Sequence, residues 1–285
     1  MNDQAESLRR IVSHSGGPGA KVVAVVSGKG GVGKSNVCLN FALSLIKLDK
    51  KVAIIDLDIG MGNLDILMGM QSKRTIVDLL KSEWTIWDII EKGPEDLSYL
   101  AGGSGFSELI ELKTEDMERF LTQLNALETE YDYIFLDMGA GVTKEGLKFI
   151  LAAHEVMVVT TPEPTAMTDA YAMIKYIYLQ DETKEIMVIV NRCETSREGE
   201  QTASNFKRVT KEFLRKEISV LGSLPDDRSV SRAVKAQKPF VHFDKKSNIS
   251  KAMREMVLRY TGTKRPKPSY SFSQLIRGLK RKIVD

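Results

Sequence analysis

A chain of 285 residues with 42% hydrophobic content can bury a substantial core, and that length suits one large α/β domain with appendages. Its 41 basic and 38 acidic side chains leave a formal net charge of +3, so no global field demands a nucleic-acid partner. Cys38 and Cys193 form no CxxC pair, which excludes a disulfide framework and a cysteine-rich metal site.

Met1–Ile11 has the pattern of a short helix; Asp3, Gln4, Glu6, Arg9 and Arg10 interrupt any secretion-signal core. Gly16, Gly17, Pro18 and Gly19 then form a connector. Val22–Ser27 is a β-branched apolar run, the pattern of a strand buried on both faces of a parallel sheet. Further strands are expected at Val52–Asp56, Tyr133–Asp137, Val156–Thr160, Ile186–Val190 and Val220–Leu224. Helical patterns separate them at Asn36–Leu48, Thr114–Leu127, Lys144–Ala152, Thr168–Leu179 and Gly199–Lys216. Trp84 and Trp87, with Ile86, Ile89 and Ile90, read as a core or interface helix, and Gly102–Gly105 as a mobile loop. The alternation predicts right-handed crossovers and a doubly wound, mostly parallel sheet flanked by helices.

A helix around Ser247–Tyr260 is followed by Thr261–Pro268, a linker rich in Pro, Lys and Gly. In the last segment Phe272, Leu275, Ile276, Leu279 and Ile283 share one helical stripe, with Lys280 and other basic residues nearby. A basic amphipathic helix suits an anionic membrane surface. No run approaches the ~20 apolar residues that span a bilayer. The expected organisation is an N-terminal segment and connector over 1–20, a nucleotide domain over 21–261, a linker over 262–269 and a membrane-targeting helix over 270–285.

Gly28-Lys29-Gly30-Gly31-Val32-Gly33-Lys34-Ser35 lies between the first strand and the first helix and meets the G-x-x-x-x-G-K-[ST] pattern in its required context. Glycines let backbone N–H groups approach phosphate oxygens, and the helix N-terminus, which includes Asn36, adds unpaired donors. Lys34 is expected to reach the β- and γ-phosphates of ATP, and Ser35 to offer its hydroxyl to Mg²⁺. Asp56, Asp58 and Asp137 stand at strand ends, where open α/β sheets bind ligands. Asp137, ending an apolar strand, is a candidate carboxylate for the metal site.

Lys29 makes the loop resemble the deviant Walker A pattern K-G-G-x-G-K-[ST]. The core from Val22 to Tyr260 resembles MinD/ParA-type ATPases in Lys29–Ser35, in Asp56–Asp65 and in Pro225–Val230. That resemblance implies an ATP-dependent homodimer in which Lys29 reaches the partner's ATP. It also implies that Asp58 positions the attacking water, that Asp56 assists the metal site, and that Asn191, Arg192, Pro225 and Asp227 frame the adenine. The second stretch is closer to MinD than to DNA-partitioning relatives, so a DNA partner is not expected. Asp3-Gln4-Ala5-Glu6-Ser7-Leu8-Arg9 matches the DQAxxLR motif of the FlhG (YlxH/FleN) family. In that family the segment docks on the SRP-type GTPase FlhF and stimulates it. Gln4 would be the activating residue, with Asp3, Ala5, Leu8 and Arg9 contributing to the contact.

The resemblance therefore implies a regulator of flagellar number and placement, cytoplasmic and peripherally attached to the membrane as an ATP dimer, with basal-body proteins as further candidate partners. A ParA-like partitioning ATPase and a MinD-like division-site regulator are the competing readings. His14, His154 and His242 show no metal-ligand spacing. The cysteines do not match the layout that bridges a dimer in iron–sulfur relatives, so electron transfer is not expected.

Overall fold

The computed structural model describes residues 19–262 apart from 59–61, 104–118, 121, 125 and 142. The expected membrane stripe (Phe272, Leu275, Ile276, Leu279, Lys280, Ile283) and the partner segment (Asp3, Gln4, Ala5, Leu8, Arg9) lie outside the described residues.

Eight strands form one sheet in the order β3-β4-β2-β5-β1-β6-β7-β8. The six expected strands are present as β1 (Lys21–Val26), β2 (Val52–Leu57), β5 (Tyr133–Met138), β6 (Glu155–Thr160), β7 (Glu185–Cys193) and β8 (Ser219–Pro225). Their continuous apolar runs are explained by helices on both faces: every residue of β2 and β6 is buried. Two strands escaped the sequence pattern, β3 (Glu91–Lys92) and β4 (Ser98–Leu100), the first pairing antiparallel at the sheet edge.

One helical layer contains α1 (Lys34–Ile46), α8 (Arg228–Lys235), α9 (Phe240–Phe243) and α10 (Asn248–Gly262). The other contains α5 (Lys144–Ala152), α6 (Pro164–Gln180) and α7 (Ser196–Leu214). Short helices α2 (Leu64–Met68), α3 (Ile76–Lys81) and α4 (Ile86–Ile89) fill the segment between β2 and β3. Of the helix expected at Thr114–Leu127, the part before residue 119 lies outside the described residues, while Phe120 and Leu124 are buried in the second layer.

The core alternative for Trp84 and Trp87 falls away, and the end of one strand requires correction. Ile86 and Ile89 are buried, but Trp87 is 46% exposed and Trp84, which precedes the helix, stacks beneath the Arg74 guanidinium at 4.2 Å. The four-residue helix turns only one apolar face inward, and the indoles fall outside it. Asn191 and Arg192 do not follow β7 but belong to it. The strand continues to Cys193 through a register shift against β8, and Arg192 adopts φ 56, a left-handed conformation rare in non-glycine residues.

At the lower edge of the sheet, Lys21 and the Tyr260 hydroxyl both bond buried Glu155, the latter at 2.9 Å. This network pins the end of α10 to β1 and β6. The sheet's other edge, at the strand C-termini, carries the candidate site.

Candidate functional site

β1 ends at Val26 and α1 begins at Lys34, so residues 27–33 must reverse the chain in one loop. Gly33 is the N-cap of α1 at φ 90, a conformation that L side chains rarely adopt, and a Cβ there would lie 2.5 Å from Asn191 Nδ2. Gly28 answers a different constraint: its Cβ would sit 2.2 Å from the carbonyl carbon of Asp169 in α6. Gly28→Ala is therefore expected to destabilise the fold by about 1–3 kcal/mol through overpacking, measured by urea denaturation. An unchanged midpoint would show that α6 yields without cost.

The loop borders a cleft of about 570 Å³ lined by Gly30, Lys34, Ser35, Asp58, Gly139 and Arg192, among others. Parallel pairing of β2 with β5 sets Asp56 directly beside Asp137. Lys34 Nζ donates to Asp137 Oδ1 at 2.6 Å and to Ser35 Oγ at 3.4 Å. Burial pulls the Lys34 ammonium down, but attraction to Asp137, their hydrogen bond and the charge of Asp58 prevail and hold its pKa above the usual value.

Asp56 is 1% exposed. Burial first, then repulsion from Asp137, pushes its carboxyl up to about 7. Its Oδ1 accepts from the Asp58 backbone N–H at 3.0 Å and its Oδ2 from the Tyr99 hydroxyl at 3.3 Å. Asp58 is half-buried, and its pKa is also raised, by burial and by Asp137 against the pull of Lys34. Tyr99 is the site residue that the sequence did not reveal. It lies on β4 opposite Ile54 and is fully buried, with burial and Asp56 holding its phenol protonated.

A divalent cation fits this donor set. Asp137 Oδ2 is buried and has no hydrogen-bond partner among the described residues, and three desolvated carboxylates share one cation, Lys34. Ser35, Asp56 and Asp137 supply hard oxygen donors of the kind Mg²⁺ takes.

Lys29 is held within its own chain. Its Nζ meets Glu163 Oε2 at 3.4 Å and Thr165 Oγ1 at 3.2 Å, at the start of α6. With the two charged side chains 44% and 60% exposed, this pair is worth about 0.2–1 kcal/mol and readily exchanged.

A second, smaller pocket opens beside Gly33 and Asn36 and is lined by Asn191, Arg192, Pro225, Asp227 and Phe240. Arg192 borders both cavities. Asn191 is buried and spends an N–H on Val32 O at 2.8 Å, tying β7 to the phosphate loop. Asp227 accepts from Ser229 N–H at 2.8 Å and Ile249 N–H at 3.3 Å. It therefore caps α8 and anchors the start of α10. Burial opposes its ionisation, but these bonds keep its carboxyl below the usual range. Cys38 and Cys193 are both buried, in the cores on opposite faces of the sheet.

Comparison with known proteins places this geometry in a family. The ParA family, described as NUBPL iron-transfer P-loop NTPase, matches residues 19–260. Antiactivator FleN of Pseudomonas aeruginosa is 32% identical over 234 residues, covering 82% of this chain and 84% of that protein. The flagellum site-determining protein YlxH of Helicobacter pylori is 34% identical over 248 residues, covering 84% and 83%. Among solved structures, MinD in the MinC:MinD complex of Aquifex aeolicus superposes with a TM-score of 0.68 at 26% identity over 88% of this chain and 99% of that one. Pyrococcus furiosus MinD gives 0.71 at 23% identity over 85% and 99%, a likeness of fold. The match over residues 19–260, with FleN and YlxH above 30% identity, makes this chain a member of the MinD/ParA family of P-loop ATPases, of the FlhG type.

Proposed function

We propose that the chain is a Mg²⁺-dependent ATPase that dimerises with ATP and regulates flagellar number and placement. Its last segment would attach it to an anionic membrane, and Asp3–Arg9 would stimulate the GTPase FlhF. The observation that carries the enzymatic reading is the buried Lys34–Asp137 contact at the mouth of the phosphate loop, beside two further carboxylates.

The loop N–H groups from Gly28 to Asn36 would bind phosphate oxygens, and Lys34 would exchange Asp137 for the β- and γ-phosphates. Ser35, Asp137 and Asp56 would hold Mg²⁺, whose charge, once bound, neutralises the phosphates. Asp58, at the cleft wall with a carboxyl of raised basicity, would orient water in line with the γ-phosphate. Asn191, Arg192, Pro225 and Asp227 would frame the adenine, with Asp227 acting through the caps it supplies to α8 and α10. Lys29 would leave Glu163 and Thr165 for the ATP of a second copy, completing a site that one protomer leaves short of charge.

The ATP-bound chain is accordingly expected to elute as a dimer, with specific ATPase activity rising with protein concentration. Lys29→Ala should remain monomeric and lose ~10-fold or more of that activity, the worth of about 1.4 kcal/mol or more of transition-state stabilisation. Rates independent of concentration, or a Lys29→Ala variant that turns over normally, would remove the dimer from the mechanism. Gln4→Ala in the full chain should leave ATPase activity intact while abolishing stimulation of FlhF. Equal stimulation by both forms would leave the N-terminal motif without that role.

Tyr99 should matter through Asp56. Tyr99→Phe deletes one buried hydrogen bond, worth about 0.5–1.5 kcal/mol, and frees Asp56 Oδ2. A several-fold rise in the Mg²⁺ concentration for half-maximal activity is expected, with little change in nucleotide binding in EDTA. Identical Mg²⁺ titrations would reduce Tyr99 to core packing.

A further inference from the structure

From Arg228 to Arg259 the sequence places nine lysines and arginines against two carboxylates, in a chain whose net charge is only +3. All nine cations are exposed: α8 carries Arg228, Arg232 and Lys235, α10 carries Lys251, Arg254 and Arg259, and the turns on either side of α9 carry Lys238, Lys245 and Lys246. Among the described residues, Arg232, Lys235, Lys245, Lys246, Lys251 and Arg254 make no salt bridge. Asp244, one of the two acids, is occupied by the backbone N–H groups of Lys246 and Ser247. Two of the cations are held in place. The Arg232 guanidinium lies 5.5 Å from the Phe243 ring centroid, and Arg254 donates to Lys245 O at 2.9 Å. Val234 and Leu258 are exposed among these charges, Leu258 by 55%.

An uncompensated charge excess of this size repels itself, and the core does not need it: α10 is held by Met253, Met256, Val257 and Tyr260 on its inner face. We infer that this face is a second membrane-contact surface, taking the headgroups of an anionic bilayer. The inference rests on the proposed membrane attachment and extends it beyond the tail. Exposed apolar side chains among cations suit a headgroup–acyl boundary, whereas a nucleic-acid phosphate backbone offers Leu258 nothing. In the sequence the proposed tail follows α10, which ends at Gly262. One amphipathic segment binds a bilayer weakly, and basic residues near an anionic surface add attraction that salt screens.

The test is co-sedimentation of the full chain, with Mg²⁺ and ATP, on phosphatidylcholine vesicles with and without phosphatidylglycerol. One variant combines Lys245→Glu, Lys246→Glu, Lys251→Glu and Arg254→Glu, and a second carries glutamine at the same positions. A third, Leu275→Asp with Ile276→Asp, disables the tail. The expected result is at least a tenfold loss of anionic-vesicle binding for the glutamate variant and a smaller loss for the glutamine variant, with ATPase activity and thermal midpoint retained. Wild-type binding by both face variants, with binding lost only in the tail variant, overturns the inference and leaves the membrane reading standing. No binding by the unmodified chain sinks the membrane reading itself. Charge-dependent binding of a mixed-sequence DNA duplex, with vesicle binding unaffected, reassigns the face to nucleic acid and overturns the inference.

Discussion

Replacing Lys34 by methionine is expected to abolish measurable Mg·ATP binding and to lower the stability of the protein by about 3–5 kcal/mol. The two effects have one cause. Lys34 is buried, and its ammonium touches Asp137 Oδ1 at 2.6 Å. Methionine keeps the aliphatic stem packed but leaves Asp137, already lacking a partner for Oδ2, buried without a counter-charge. On the ligand side, two charge-assisted hydrogen bonds to phosphate, at about 1.5–3 kcal/mol each, amount to a loss of ~10²-fold or more. Combining Lys34→Met with Asp137→Asn separates the effects: neutralising both partners should return most of the stability without restoring nucleotide binding. Calorimetric titration with ATP and urea denaturation of the three proteins read the two quantities. A single variant as stable as the wild type would mean that Asp137 finds other compensation. A double variant that binds ATP tightly would remove Lys34 and Asp137 from the phosphate site.

That pair shows what a one-dimensional reading can reach. Lys34 and Asp137 are 103 positions apart, yet each was identifiable from its local pattern: a lysine after a glycine loop, an aspartate ending an apolar strand. Parallel pairing of β2 and β5 then brings the carboxylates together, as expected for acids at the C-terminal edge of a doubly wound sheet. Two-sided burial is what made β1, β2, β5, β6 and β7 legible, while β8, at the sheet edge, showed only as a shorter apolar run. β4 has three residues between turns and β3 two, too short for any period to register. Tyr99 was hidden with β4, because nothing local says that its hydroxyl meets Asp56. Glu163 and Thr165 were hidden for a related reason. They meet Lys29 across 134 and 136 positions, through ordinary N-terminal residues of a helix. Asp227 was named by resemblance, and what the sequence did not show is that its carboxylate, on the wall of the smaller pocket, also serves two helix starts. The exposed indoles mark a third limit, since a four-residue helix cannot bury an apolar cluster on every side.

Asp56→Asn should make the protein more stable and less active, with the gain growing from about pH 4 and complete above about pH 7. Burial and the Asp137 charge raise the Asp56 pKa from 3.8 to about 7 in the folded chain, so the folded state binds the proton more tightly than the unfolded one. Stability attributable to this group is complete below about pH 4, declines as pH rises toward 7 and is lost above it. A shift of about three units bounds the effect near 4 kcal/mol, at ~1.4 kcal/mol per unit. Asparagine carries no charge at any pH in this range and still offers an oxygen to the Asp58 N–H. Thermal denaturation in EDTA should therefore give matching midpoints near pH 4 and a variant that is progressively ahead toward pH 8. Adding Mg²⁺ and ATP should favour the wild type selectively, because binding to the native state stabilises it by mass action and only the wild type keeps the carboxylate. Parallel stability curves for the two proteins across that pH range would show that the buried acid carries no such strain. The same substitution should cost ~10-fold or more in ATP turnover, since asparagine brings no charge to the proposed Mg²⁺ site. A protein without this acid would gain stability at neutral pH, and the role proposed for the carboxylate pair is to meet the charge of a bound cation.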